Sequence, residues 1–273
     1  MSFAGRDIIA SEVFRMRVII RKNYADCSKW VADYIAGKIN AAAGAPFVIG
    51  LPTGSTPIGV YKELIRLCRA GKVSFENVTS FNMDEYVGLP CDHPQSYHHF
   101  MNETFFNHID IKKENINIPN GMASDLSKEC AAYEEKIKQC GGVKLFFGGI
   151  GANGHIAFNE PGTSLSSRTR IKRLALDTRE ANSRFFDDDL SAVPEYAITV
   201  GVGTIMDADE VLVMATGAHK AEALRQAVEC PIHHMCPASI LQTHQHGIIV
   251  CDEEVARRFS SRIAEYFRDV EHL

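Results

Sequence analysis

Short apolar runs alternate along the chain with longer stretches in which apolar residues recur every three or four positions. The runs at Arg17–Arg21 (RVIIR), Phe47–Leu51 (FVIGL), 78–81, 143–147, 197–200, 211–215 and 247–251 have the length and composition of strands. Between them, 24–43 places Trp30, Val31, Tyr34, Ile35 and Ile39 at helical spacing, and 58–70 does the same with Tyr61, Leu64, Ile65 and Leu67. Further helices are predicted over 96–106, 124–140 (with Ser124 or Asp125 as cap), 219–229 and 253–270. Residues 84–97, rich in Pro, Gly, Asp and His, read as a loop. Residues 160–190 break the rhythm and predict a small excursion or lid. Strand–helix alternation of this kind predicts an α/β fold: a mostly parallel sheet with helices on both faces. Such sheets bind ligands at the carboxyl ends of their strands, so the loops that follow strands are the ones to read for chemistry.

Bulk properties narrow the picture a little. A chain of 273 residues with net charge −5 has ample length for a sizeable core and no basic field to draw it to nucleic acid or a membrane surface. Its apolar runs fall far short of the ~20 residues that cross a bilayer. Charges at Arg6, Asp7, Glu12 and Arg15 interrupt any secretory apolar core, so a cytoplasmic protein is expected. Eight scattered cysteines predict reduced, mostly buried thiols. Cys230, His233, His234 and Cys236, with His244 and His246 nearby, have the residue types of a zinc site. Their spacing, interrupted by Pro231 and Pro237, favours a packed loop instead, and no metal is expected.

Three loops stand out. GLPTGSTP (50–57) joins a strand to a helix, with Ser55 or Thr56 as cap and Pro57 in the first turn. Thr53, Gly54, Ser55 and Thr56 would offer amides and hydroxyls to a phosphate, without the lysine of a nucleotide-triphosphate loop. In FNMDEY (81–86), Asp84 and Glu85 follow a strand; the pair fits a general base or metal ligand, or a plain solvated turn. GGIGANGHIAFNEP (148–161) holds a Gly-x-Gly-x-x-Gly run, but Pro161 leaves too little room for the helix that a dinucleotide turn requires. His155 and Glu160 there could present proton-transfer groups beside a closely approached ligand. Arg168, Arg170 and Lys172 alternate so that an extended segment would align them on one face. Arg184 and Lys220 are isolated cations near predicted element ends.

Taken together, GLPTGSTP, FNMDEYVGLP, HPQSYHHFM, GGIGANGHIAFNEPGTSLSSRTRIK, NSRFF, AITVGVGTIMDA and GAHKAEAL resemble the glucosamine-6-phosphate deaminase (isomerase) family, in the family's order and across about residues 17–267. The resemblance implies a Rossmann-like sheet over 17–273 after an extension at 1–16, and a homo-oligomer, commonly a hexamer. It implies reversible conversion of glucosamine 6-phosphate and water to fructose 6-phosphate and ammonia, with no cofactor. Asp84 then matches the base at C2, His155 the ring-opening residue and Glu160 its supporting acid. Thr53 to Thr56, Arg184 and Lys220 match the substrate phosphate site.

The chain also departs from the family pattern. Asn153 stands where Asp usually precedes Gly-His; it keeps a hydrogen-bond acceptor and loses a charge. That change motivates a second reading, a sugar-phosphate sensor with little turnover. A related lactonase is a third, disfavoured by the intact Asp84 phrase. The family's effector site, for N-acetylglucosamine 6-phosphate between subunits, maps to Thr163, Arg170, Lys172, Arg173 and Tyr266. Thr163 and Arg173 replace the usual Ser and Thr, and Met16 takes the place of the terminal methionine, so weak or absent activation is expected. Cys236-Pro237 replaces the usual Trp-Thr.

Overall fold

The computed structural model describes residues 16–271, and the expected extension over 1–16 lies outside them except for Met16. Seven strands form one wholly parallel sheet: β1 (Arg17–Arg21), β2 (Phe47–Leu51), β3 (Val78–Asn82), β5 (Ile116–Asn117), β6 (Leu145–Gly149), β9 (Glu210–Ala215) and β10 (Gly247–Asp252). Their spatial order is β1-β10-β9-β6-β2-β3-β5. The antiparallel pairs lie in a second sheet, in which β8 (Tyr196–Thr199) runs between β4 (Asp84–Tyr86) and β7 (Arg170–Arg173).

The central strands β2, β6, β9 and β10 are largely apolar because both faces of the large sheet are covered. Alternate residues feed two separate cores. Phe146, Val211, Val213 and Ile249 join the cluster that includes Tyr133, Leu224, Val255 and Phe267. Leu145, Phe147, Leu212 and Ile248 join the cluster with Val31, Ile35, Tyr61 and Leu64. The first face is thus covered by α4 (Leu126–Gln139), α7 (Ala221–Glu229), α8 (Glu253–Ala256) and α9 (Ser261–Glu271). The second is covered by α1 (Tyr24–Ala41), α2 (Ile58–Arg69) and α3 (Tyr97–Thr104). Two shorter helices, α5 (Leu176–Ser183) and α6 (Val202–Met206), complete the set used below.

Several boundaries differ from expectation. The 253–270 helix is two helices, separated at 257–260. Asp125, not Ser124, caps α4, accepting from the Lys128 amide at 3.0 Å. Neither Ser55 nor Thr56 caps α2; Pro57 holds that position and no side chain closes the turn. The 84–97 loop begins with strand β4, because its extended backbone pairs with β8. The 160–190 excursion contains β7 and α5, and β7 is one edge strand of the small sheet.

Sequence order reverses between β2 and β6: the chain leaves β2 towards β3 on one side and β6 towards β9 on the other. Adjacent loops diverge there, and the resulting crevice is where ligands bind in open parallel sheets.

Candidate active site

A cleft of about 330 Å³ opens at this switch point. The loops after β2, β6 and β9 and the start of β4 line it, and α5 with Arg184 closes one side. Sequence-predicted residues Thr53, Gly54, Ser55, Thr56, Asp84, His155, Arg184 and Lys220 all reach it. The β2 and β6 loops meet across the crevice, and a methyl group on Gly149 would sit 3.7 Å from Thr56 Oγ1.

One end suits an anion. The loop 53–56 leads into α2 with Gly54 at φ +82°, a left-handed conformation that glycine adopts without strain. No side chain caps α2, so the positive end of its dipole, next to the cleft-lining Thr56, is left to favour an anion. Tyr24 secures the loop from behind: its hydroxyl accepts from the Gly59 amide at 2.8 Å and donates to the Thr56 carbonyl at 3.1 Å. Lys220 Nζ donates to Thr56 Oγ1 at 2.9 Å. Burial and then the charge of Arg184 push the Lys220 ammonium down to about 8, with Asp252 opposing. An incoming anion would offset the repulsion from Arg184 and favour the charged ammonium.

The other end carries proton-transfer groups. Asp84 and Glu85 are both buried, not a solvated turn, so the paired acids have different jobs. Successive strand residues face opposite ways. Asp84 lines the cleft, while Glu85 turns to the N-terminus of α3. There Glu85 accepts from the Tyr97 and His98 amides at 3.0 Å each and from its neighbour Tyr86 at 2.8 Å. Its other close partner is His98 Nδ1 at 2.9 Å. Burial first, then the charge of Glu85, push the Asp84 carboxyl up to about 8. A carboxylate so placed is a far stronger base than one in water.

His155 lies flat over Gly151, where any Cβ would meet ring atoms at 2.0 Å. Asn153 Oδ1 contacts His155 Nδ1 at 2.7 Å and also the His155 backbone N–H at 3.3 Å. Because the backbone can only donate, the amide oxygen must face this side, and the ring must carry its proton on Nδ1. Nε2 is then left with a lone pair. Burial pushes the imidazolium down, with Glu160 opposing and Lys220 reinforcing, so the ring favours its neutral form.

Asn153 and Glu160 stand outside the cleft, lining a neighbouring recess with Lys172 and Arg173. Glu160 is buried, accepts from Thr178 Oγ1 at 2.6 Å and the Ala175 amide at 3.0 Å, and faces Lys172 Nζ at 3.4 Å. It thereby ties α5 to β7. The alternation predicted for the basic segment holds only in part: Arg170 and Lys172 share the less exposed face of β7, Arg170 Nη1 donating to Asn159 Oδ1 at 2.9 Å, while Arg173 faces out to Glu195. Arg168 does not join them; it precedes the strand, where the backbone is not extended in the ladder, and is exposed beside Asp207. Thr163 is buried with its hydroxyl unpartnered, and Tyr266 lies half-exposed on α9, which packs on β1.

Sequence reading missed four cleft residues with polar side chains: Tyr97, Thr178, Asn182 and His219. HPQSYHHFM and GAHK contain two of them, but nothing in their spacing pointed to a cleft. Among the described residues no group of three or more His, Cys, Asp or Glu could hold a metal ion, and the cysteines are free. No described helix is long and apolar enough to cross a membrane.

Fold and cleft together define an α/β enzyme with its site at the carboxyl ends of a parallel sheet. The profile of the glucosamine-6-phosphate isomerases/6-phosphogluconolactonase family matches residues 22–250, and the chain belongs to that family. A glucosamine-6-phosphate deaminase of Phocaeicola vulgatus is 60% identical over 259 residues, covering 94% of this chain and 98% of the relative. One from Borreliella burgdorferi is 57% identical, covering 94% and 97%. The solved structure of a monomeric glucosamine-6-phosphate deaminase superposes with a TM-score of 0.86 at 42% identity, covering 89% of this chain and all of that one. A 6-phosphogluconolactonase from Trypanosoma brucei, at TM-score 0.72 and 19% identity, shares the fold.

Proposed function

We propose that the cleft binds glucosamine 6-phosphate and converts it, with water, to fructose 6-phosphate and ammonia. The observation that carries this reading is the pairing, in one cleft, of a cationic, amide-lined end with a buried carboxylate and a neutral imidazole. The high identity to deaminases supports it.

In this reading the phosphate is held by the loop 53–56, Lys220 and Arg184. Nε2 of His155 takes the proton of the anomeric hydroxyl, the C1–O5 bond breaks, and O5 is protonated. Asp84 removes the C2 proton of the open aldose. The electrons form a C1–C2 enolamine as O1 takes a proton from water, and Asp84 returns the C2 proton to C1. Water then adds to the C2 iminium, and the C–N bond breaks to leave a ketone and ammonia. Asn153 acts by fixing the His155 tautomer; it brings no charge. Glu160 supports the ring-opening loop through Thr178 and Ala175. The chemistry calls on no cofactor.

Arg170 and Lys172 are already engaged by Asn159 and Glu160, and we expect hyperbolic kinetics that N-acetylglucosamine 6-phosphate leaves unchanged. A sigmoidal rate curve made hyperbolic by that sugar phosphate would contradict this. The resemblance implies a hexamer, whereas one structural relative is described as monomeric; light scattering on the purified chain decides between them. The test of function is release of ammonia and fructose 6-phosphate from glucosamine 6-phosphate. Saturable binding without either product would favour the sensor that Asn153 suggests.

A further inference from the structure

The segment Cys230-Pro-Ile-His-His-Met-Cys236 holds no metal cluster, and the reaction does not use it. It nevertheless touches the ring-opening loop at both ends. The Ala238 amide donates to the Gly154 carbonyl at 2.9 Å, and the Gly162 amide donates to the His234 carbonyl at 2.9 Å. Between these bonds, Cys236 packs against Gly154 so closely that a methyl group there would lie 2.6 Å from Sγ. Gly154, at φ +84°, is the residue between Asn153 and His155.

The same segment is fastened to α7, whose preceding residue is Lys220. Cys236 Sγ donates to the Ala223 carbonyl at 3.8 Å. Gln242 Nε2 donates to the carbonyls of Ala227 and Cys230 at 2.9 and 2.8 Å. Ser239 Oγ closes the turn by accepting from the His233 amide and donating to the His233 carbonyl.

We propose that Cys236 is a positioning residue: wedged between α7 and Gly154, it holds the Asn153–His155 pair in register with the anion end of the cleft. The thiol acts by shape and by its bond to Ala223, with no redox step. Cys236 is fully buried, which suits that role. The proposal rests on the deaminase reading for its kinetic consequence, not for its structural one.

Removing the wedge lets Gly154 relax, and misplacement of a reacting group by ~1 Å costs up to about a hundredfold in rate. Cys236→Ala is therefore expected to lower kcat about tenfold or more while KM changes less than about twofold. Cys236→Ser, nearly isosteric and still a donor to Ala223, keeps kcat within about threefold of the parent. Imidazole nitrogen NMR, assigned with His155→Gln, gives a readout independent of turnover. The parent shows His155 protonated on Nδ1, Cys236→Ala shows a mixture of tautomers, and Cys236→Ser restores the single one. An unchanged spectrum in Cys236→Ala overturns the proposal, as does a fall in kcat matched by the same rise in KM. If Cys236→Ala fails to fold, Cys236→Val, which stays apolar but crowds Gly154, is read in the same two ways. A parent that releases no ammonia defeats the deaminase reading alone, and the spectra still decide the wedge.

Discussion

At the residue scale, the account turns on two side chains whose surroundings set their chemistry. Asn153 gives His155 an acceptor without a charge. Asn153→Asp places a carboxylate at that position, which favours the imidazolium and should move the acidic limb of the kcat–pH profile up by about a unit or more. Identical profiles in parent and variant would remove any functional meaning from the substitution. Asp84 is the second. Its pKa is pushed up to about 8 in the folded chain, so the folded state holds that proton more tightly than the unfolded state. The stability this confers is lost as pH rises from the ordinary carboxylate range through 8. Asp84→Asn should lower turnover about 10²–10⁴-fold and raise Tm over the parent more at pH 9 than at pH 5. Equal gains at both pH values would show that Asp84 titrates normally. The sequence made Asp84 a candidate, but two adjacent acids after a strand carry no mark of burial; the pairing of β4 with β8 and the packing of α3 against it bury them.

At the element scale, β4 is the instructive case. Its three residues, Asp-Glu-Tyr, have no apolar alternation and sit in a stretch rich in turn formers, so local pattern read them as loop. Tertiary pairing overrides that preference. The strand then directs Asp84 to the cleft and Glu85 to α3, where four contacts from Tyr86, Tyr97 and His98 satisfy its buried carboxylate. Glu85→Ala leaves those donors unpaired and should lower stability by about 2–4 kcal/mol, read as a fall in Tm and denaturant midpoint. Glu85→Gln keeps much of the hydrogen bonding but removes a negative charge beside Asp84. Its rate profile should rise at lower pH than the parent's; a profile displaced the other way would contradict Glu85's share in raising Asp84. The long strands and helices, by contrast, were legible from periodicity because each feeds one of two continuous cores. The 253–270 break was not, since apolar spacing runs on across 257–260 where the backbone turns.

At the scale of the whole molecule, strand order is what turns scattered motifs into a site. GLPTGSTP, Asp84, the His155 loop and Lys220 lie up to 170 positions apart in the sequence, from Gly50 to Lys220, and each was ambiguous alone. Parallel pairing of β3, β2, β6 and β9 brings their carboxyl ends side by side, with the crevice between β2 and β6. That assembly followed from the alternating pattern, but the facing of individual side chains did not: Asn153 and Glu160 stand behind His155, and Tyr97 and Asn182 enter the cleft unannounced. The same topology makes the central claim directly testable. Purified protein incubated with glucosamine 6-phosphate should release ammonia and fructose 6-phosphate in equal amounts, and Asp84→Asn should release both at least about a hundredfold more slowly while still binding inorganic phosphate. Binding of the sugar phosphate by folded parent protein with no product formed would contradict the account.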